Sequence, residues 1–161
     1  MFARIWAWIL SVLMFLFPFF FKPPVTPPTK LDVNASVEIV INAIKTGDIA
    51  AIEAFMCKNI KDNVPNLQTE IGNLIDLIEG EITSTSSTSV NDFYMTSGGK
   101  TIERAISNSY INTAVANYKL DIRWEIYNNF SLAERGIRRI GLYITVGDAY
   151  ELLIDIRATD A

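Results

Sequence analysis

Residues 118–127 read YKLDIRWEIY. Apolar and polar side chains alternate in this stretch with period two, which predicts a strand that has one face against a core and one toward solvent. The face predicted to be covered holds Tyr118, Leu120, Ile122, Trp124 and Ile126, and the opposite face holds Lys119, Asp121, Arg123, Glu125 and Tyr127. Strands of this kind form antiparallel sheets that are covered on one side.

The same alternation returns in two later segments. Gly147 and Asp148 lie between them and indicate a tight hairpin turn. The predicted covered positions are Ile140, Leu142, Ile144 and Val146 in the first segment and Tyr150, Leu152, Ile154 and Ile156 in the second. Residues 84–90 are mostly serine and threonine, and they leave two interpretations open, an edge strand or a loop.

Before residue 81 the apolar residues recur at helical spacing, which predicts three helices. Ser36 is a candidate cap for the first helix and Gly47 its stop, while Asp48 caps the second. The predicted buried positions are Val37, Val40, Ile41 and Ile44, then Ile49, Ile52, Phe55 and Met56, and finally Leu67, Ile71, Leu74, Ile75 and Ile78. The sequence therefore predicts an α+β domain over residues 35–161, with three N-terminal helices packed on an antiparallel sheet.

The N-terminal segment differs in character from this domain. Residues 5–21, IWAWILSVLMFLFPFFF, carry no charge. They would form about 25 Å of helix, close to the thickness of a bilayer core. The residues that follow, FKPP, lack the small side chains of a signal-peptidase site. We expect residues 1–22 to be an uncleaved transmembrane or signal-anchor helix, with a cleaved secretory signal as the alternative, and residues 23–34 to be a proline-rich linker.

The charge and the residue content exclude several functions. Removing the three positive charges of residues 1–30 from the formal net charge of −4 leaves −7 for residues 31–161. A negative domain of this kind opposes nucleic-acid binding. The chain has no histidine, so its single cysteine, Cys57, lacks the usual activating base and is expected to be a small buried apolar residue. We expect no metal and no cofactor.

Two stretches support a resemblance to known proteins. The first is residues 55–82, which include Glu79-Gly80-Glu81-Ile82, and the second is residues 118–127 followed by ERGIRRI at 134–140. Both resemble a family of unknown function made of small secreted lipoproteins of Gram-positive bacteria. The order of helices and strands is similar to the cone-shaped α+β fold of nuclear-transport-factor-two-like domains. The resemblance implies a bacterial, extracytoplasmic domain with a curved sheet. This chain lacks the lipid-carrying cysteine of that family, and its apolar helix would replace it.

Two groups of side chains are candidates for a site. Ligand-pocket candidates are the aromatic residues Tyr94, Tyr110, Tyr118, Tyr143, Tyr150 and Trp124, whose other interpretation is packing in the walls of the domain. Interaction-face candidates are the charged residues Asp121, Arg123, Glu125, Arg138 and Arg139, whose other interpretation is a solvated face of ion pairs.

We expect a membrane-tethered extracytoplasmic domain that binds a small apolar molecule or a partner protein without catalysis. One alternative is an enzyme of the same fold that uses a tyrosine and a carboxylate in its pocket. The other is a structural module that forms a homodimer through the sheet, with the charged face of residues 119–127 buried.

Overall fold

The structure, a computed structural model, describes residues 30–158, with only the backbone at positions 91 and 92. The helices are α1 (Val33–Thr46), α2 (Ile49–Phe55), α3 (Lys58–Asn63) and α4 (Leu67–Asp76). The strands are β1 (Ile82–Ser97), β2 (Lys100–Thr113), β3 (Asn117–Asn128), β4 (Gly136–Val146) and β5 (Ala149–Arg157), with a short 3₁₀ helix (Leu132–Glu134) before β4. The predicted α+β class, with helices before an antiparallel sheet, is confirmed.

The described residues contain one more α-helix than the sequence predicted. The additional helix, α3, has six residues, of which only Ile60 is buried, so it is too short to produce a visible helical period. Asp48 caps α2 as predicted, since its carboxylate accepts from the Ala51 amide at 3.0 Å. The predicted cap of α1 is wrong. Asp32 caps that helix, and the buried Ser36 donates its hydroxyl to the Asp32 carbonyl instead.

The five strands form one sheet in the order β1-β2-β3-β4-β5, and each strand pairs antiparallel with the next along the chain. Residues 84–90 belong to β1, an edge strand, which decides between the two interpretations left open above. Gly147 adopts a φ of 60° in the turn between β4 and β5. A positive φ is what the predicted hairpin turn requires.

The covered face of β3 forms the centre of the core. All five residues predicted for this face are buried. Trp124 is fully buried, donates its indole N–H to the Ser107 hydroxyl at 2.8 Å, and meets the Phe55 ring edge-on at 6.2 Å between centroids. Because the indole has a hydrogen-bond partner, the largest side chain of the core is buried without an unpaired donor.

Predictions for the end of the sheet were partly wrong. The pairing of β4 with β5 shifts between Leu142 and Tyr143, so that Leu153 is left over and the alternation of β5 changes face at that point. Ile154 and Ile156 therefore pair beside the core, whereas Tyr150 and Leu152 are 48% and 47% exposed. A bulge of this kind arises from pairing with the neighbouring strand. The alternation of apolar and polar residues in one strand therefore does not predict it.

The helical layer joins the sheet through backbone contacts at the start of β4. The Cys57 amide, just after α2, donates to the Ile137 carbonyl at 3.0 Å, and Met56 forms a parallel bridge with Ile137. Gly136 has a φ of +128°, and a β-carbon added there would lie 2.2 Å from the Phe55 carbonyl oxygen. Only glycine lets the two backbones approach this closely.

The predicted anchor over residues 5–21 and most of the linker lie outside the described residues. Within residues 30–158, no helix has both the length and the apolar character needed to cross a membrane.

We predict that Gly136→Ala lowers the free energy of unfolding by more than about 3 kcal/mol, because the new methyl group must displace the Phe55 backbone. Gly98→Ala is the matched control, since Gly98 also has positive φ, at 56°, but no atom within 4 Å of an added β-carbon. The control is expected to lose only about 1–2 kcal/mol. Urea denaturation measures both changes, and equal losses would contradict the close approach.

Cys57 is fully buried, as predicted, and burial raises the pKa of its thiol above the ordinary value. The stabilisation that comes from burying the neutral thiol is therefore complete below the unfolded-state pKa. This stabilisation is lost as the pH rises from the unfolded-state pKa toward the folded-state pKa. We predict that the wild-type chain loses stability above pH 9.0 relative to Cys57→Ala. Urea denaturation on both sides of that pH measures this difference, and parallel pH profiles of the two chains would contradict the prediction.

Candidate functional site

Three arginines lie side by side across three strands. Arg123 of β3 pairs with Arg139 of β4, which pairs with Arg157 of β5. Like charges directly opposite one another destabilise a sheet, so this row needs negative charge close by.

Part of that negative charge comes from the neighbouring row of the sheet, Asp121, Gly141 and Asp155. One oxygen of Asp155 accepts from Arg139 at 2.7 Å and the other lies 3.3 Å from Arg157 Nε. The hydrogen bond to Asp155 raises the pKa of Arg139, so this guanidinium stays charged. Asp121 lies 3.8 Å from Arg123. At that separation the two form an ion pair without a hydrogen bond.

A second charged group lies next to this row. Glu125 Oε2 accepts from Arg138 at 2.5 Å and from Arg104 at 3.4 Å, and its other oxygen accepts from the Asn128 amide. Asn128 is itself held by the backbone amides of Phe130 and Ser131, at 2.9 and 2.8 Å. The carboxylate of Glu125 is therefore fixed in place.

The expectation that Glu125 faces solvent is wrong, because the residue is 1% exposed. The pairing of β2 with β3 shifts next to Arg104, and that of β3 with β4 shifts next to Trp124. Arg104 and Arg138 lie at these irregular positions and cover the carboxylate.

These side chains surround a cavity of about 230 Å³, which we call the arginine pocket. It is lined by Arg104, Arg123, Arg138, Arg139 and Arg157, together with Asn59, Ala105, Trp124 and Ala158. Five of the seven arginines of the chain thus line one cavity. Their ion-pair partners are three carboxylates, Glu125, Asp121 and Asp155, so these ion pairs carry an excess of two positive charges in an otherwise acidic domain. A fourth carboxylate, that of Glu134, accepts from the backbone amide of the lining residue Asn59 at 3.3 Å.

The side chains of the pocket are chemically suited to an anion. Guanidinium groups present paired N–H donors that match the oxygens of a carboxylate or phosphate. Within residues 30–158, no cluster of three or more metal-ligating side chains occurs.

All five interaction-face candidates lie in or beside the arginine pocket. Arg104 and Arg157 also line the pocket, and neither was among the candidates predicted from the sequence. Arg157 lies on the polar side of the alternation in β5, and this pattern could have identified it. Arg104 joins the group only through the pairing of β2 with β3.

The aromatic candidates are scattered. Trp124 lines the arginine pocket, but none of the five tyrosines does. Tyr118 is a core residue whose hydroxyl accepts from the Glu79 amide at 3.0 Å, and Tyr94 is largely exposed. Tyr143 accepts from Arg139 at 3.4 Å. Desolvation and the nearby Tyr110 hydroxyl raise the pKa of Tyr150. A role for these tyrosines in ligand binding stays a prediction.

Serine side chains form a second polar region, on the covered face, where the sequence indicated almost only apolar groups. Ser107 and Ser109 are fully buried, and Ser109 shares a hydrogen bond of 2.8 Å with Ser87. Ser89 donates to Asn34 of α1 at 2.6 Å beside a cavity of about 280 Å³. The repeated serines at every second position of β1 and β2 indicate that one face of these strands is polar. This pattern was not used, because β1 was not identified as a strand.

Comparison with known proteins gives one family. A model described as a domain of unknown function (DUF5104) matches residues 39–146, about two thirds of the chain, including four of the five arginines of the pocket. No curated protein matches the chain. The family expected from the sequence was one of unknown function, which agrees with this match at that level. The chain belongs to the DUF5104 family of domains of unknown function.

Proposed function

We propose that this protein is a membrane-tethered, extracytoplasmic domain that binds a small anionic ligand in the arginine pocket and does not catalyse a reaction. The observation that carries the proposal is the excess of two positive charges around one cavity in a domain of net charge −7. The charge of this cavity moves our expectation from an apolar ligand to an anionic one.

An ordinary ion-pair face explains the pocket less well. Surface ion pairs contribute about 0–1 kcal/mol each, and like charges directly opposite one another in a sheet are destabilising. Here Arg123, Arg139 and Arg157 lie next to one another, and Arg123 and Arg157 remain 52% and 65% exposed. Adjacent like charges lower the stability of the protein without a ligand, and a bound anion offsets this cost.

The tether rests on the sequence of residues 1–30. An uncharged run of seventeen residues followed by a proline-rich segment would hold the domain close to a bilayer surface. We propose that this helix replaces the lipid anchor of the lipoproteins that the chain resembles. We further propose that the domain is a nuclear-transport-factor-two-like cone, a proposal supported by the order of helices and strands and by the single covered face of the sheet.

The two alternative functions are an enzyme of the same fold and a dimer formed through the sheet. An enzyme of the same fold would need an acid–base pair on the covered face, where the polar side chains of β2 are the hydroxyls of Ser107 and Ser109. A dimer through the sheet is favoured by one observation, the half-exposed apolar side chains of Tyr150 and Leu152 on the uncovered face.

We predict that native mass spectrometry of the full chain, released gently from a nonionic detergent, shows a reproducible bound mass. The double variant Arg123→Gln/Arg157→Gln should lose this mass, because it removes two exposed guanidinium groups of the pocket. Lys119→Gln is the matched control, since Lys119 lies on the same face of β3, above the Tyr150 ring, and does not line the pocket.

A wild-type chain without bound mass, or a mass retained by the double variant, would contradict binding in the arginine pocket. A dimer that persists in both variants and carries no ligand would favour the structural module.

A further inference from the structure

We propose that the ligand of the arginine pocket presents a phosphate-monoester dianion. The inference rests on the proposed binding function and adds the chemical class of the ligand. It follows from the charge balance, the available donors and the size of the cavity.

The charge balance indicates a dianion. Five guanidinium groups share three carboxylates as ion-pair partners, so the ion pairs of the pocket carry a net charge of +2. A carboxylate or a phosphodiester carries one negative charge and would leave one arginine unbalanced. A phosphate monoester carries about −1.5 to −2 at neutral pH and matches the excess.

The donors that would receive it belong to the arginine row. Arg139 is turned toward Asp155 and is only 18% exposed, whereas Arg123 and Arg157 are more than half exposed. In the described part of the chain, Arg123 comes no closer than 3.8 Å to a carboxylate. Arg123 and Arg157 therefore flank Arg139 with side chains that are more than half exposed, and their guanidinium groups offer two charge-assisted contacts to one oxyanion.

The size of the cavity limits how much of the ligand enters. The pocket has a volume of about 230 Å³. Small-molecule sites usually have a volume of roughly 300 Å³ or more, so this one is small. A phosphate group fits, while the rest of the ligand extends past the exposed ends of Arg123 and Arg157. The source of the phosphate is either a soluble phosphate ester or the headgroup of a membrane lipid such as phosphatidic acid.

Glu125 acts as a built-in competitor in this site. Its carboxylate occupies Arg104 and Arg138, which would otherwise contribute to the same anion. Replacing it with glutamine keeps the shape of the side chain and raises the excess from two to three positive charges. A dianion should then bind more tightly, a gain that a purely structural role of Glu125 does not produce.

The test is isothermal titration calorimetry on the full chain in a nonionic detergent at low, constant salt. The probes are glycerol 3-phosphate, glycerate as a singly charged carboxylate, and phosphatidic acid against phosphatidylcholine in mixed micelles. We expect a phosphate monoester to bind at least about tenfold more tightly than glycerate or phosphatidylcholine. Arg123→Gln/Arg157→Gln should weaken that binding about 10- to 100-fold, Lys119→Gln should leave it unchanged, and Glu125→Gln should strengthen it.

Binding of glycerol 3-phosphate identifies a soluble ester, and binding of phosphatidic acid alone identifies a lipid headgroup. Both support the inference, provided that binding depends on Arg123 and Arg157. Equal binding of glycerate, or no binding of any phosphate monoester, overturns it. If native mass spectrometry still shows a bound mass that depends on these arginines, the proposed function stands and only the ligand class is wrong. If neither experiment shows a ligand, both fail.

Discussion

The backbone hydrogen bond from the Cys57 amide to the Ile137 carbonyl connects the two layers of this protein. It forms where Gly136 lies against the Phe55 carbonyl, in a contact too close for any side chain at position 136. This contact determines where β4 begins and how that strand enters the sheet. Arg138 and Arg139 follow directly, so the contact that closes the core also places two arginines of the pocket.

The register shift beside Trp124 leaves Arg138 of β4 over, and Arg138 pairs with the buried Glu125. The regular alternation of β3 places the indole of Trp124 on the covered face, where it donates to Ser107 and packs against Phe55. Arg123, the preceding residue, lies on the opposite face and pairs with Arg139. A pocket lined by both Arg123 and Trp124 therefore borders the core directly, and the packing of the indole restricts movement of β3, the strand that carries Arg123.

The charges of the pocket form a buried group and an exposed group. Glu125 is buried and holds Arg104 and Arg138, and Asn128 holds Glu125 through a short amide contact. Breaking a buried charge pair is costly, so this part of the network is expected to be rigid. Arg123 and Arg157 are more exposed and lie farther from their carboxylate partners, so the proposed ligand would contact these two side chains without breaking the buried pairs.

The sequence was sufficient to predict the class of the fold, the covered face of β3, the cap at Asp48 and the hairpin at Gly147, because each depends on local periodicity or on the conformation of one or two residues. Periodicity failed for the six-residue α3 and for the serine-rich β1, where apolar positions are too few. The tertiary structure alone decided the bulges beside Trp124 and Tyr143, the burial of Glu125 and the arrival of Arg104 in the pocket. These features arise from the register between strands, and register is a property of pairs of strands that one strand does not encode.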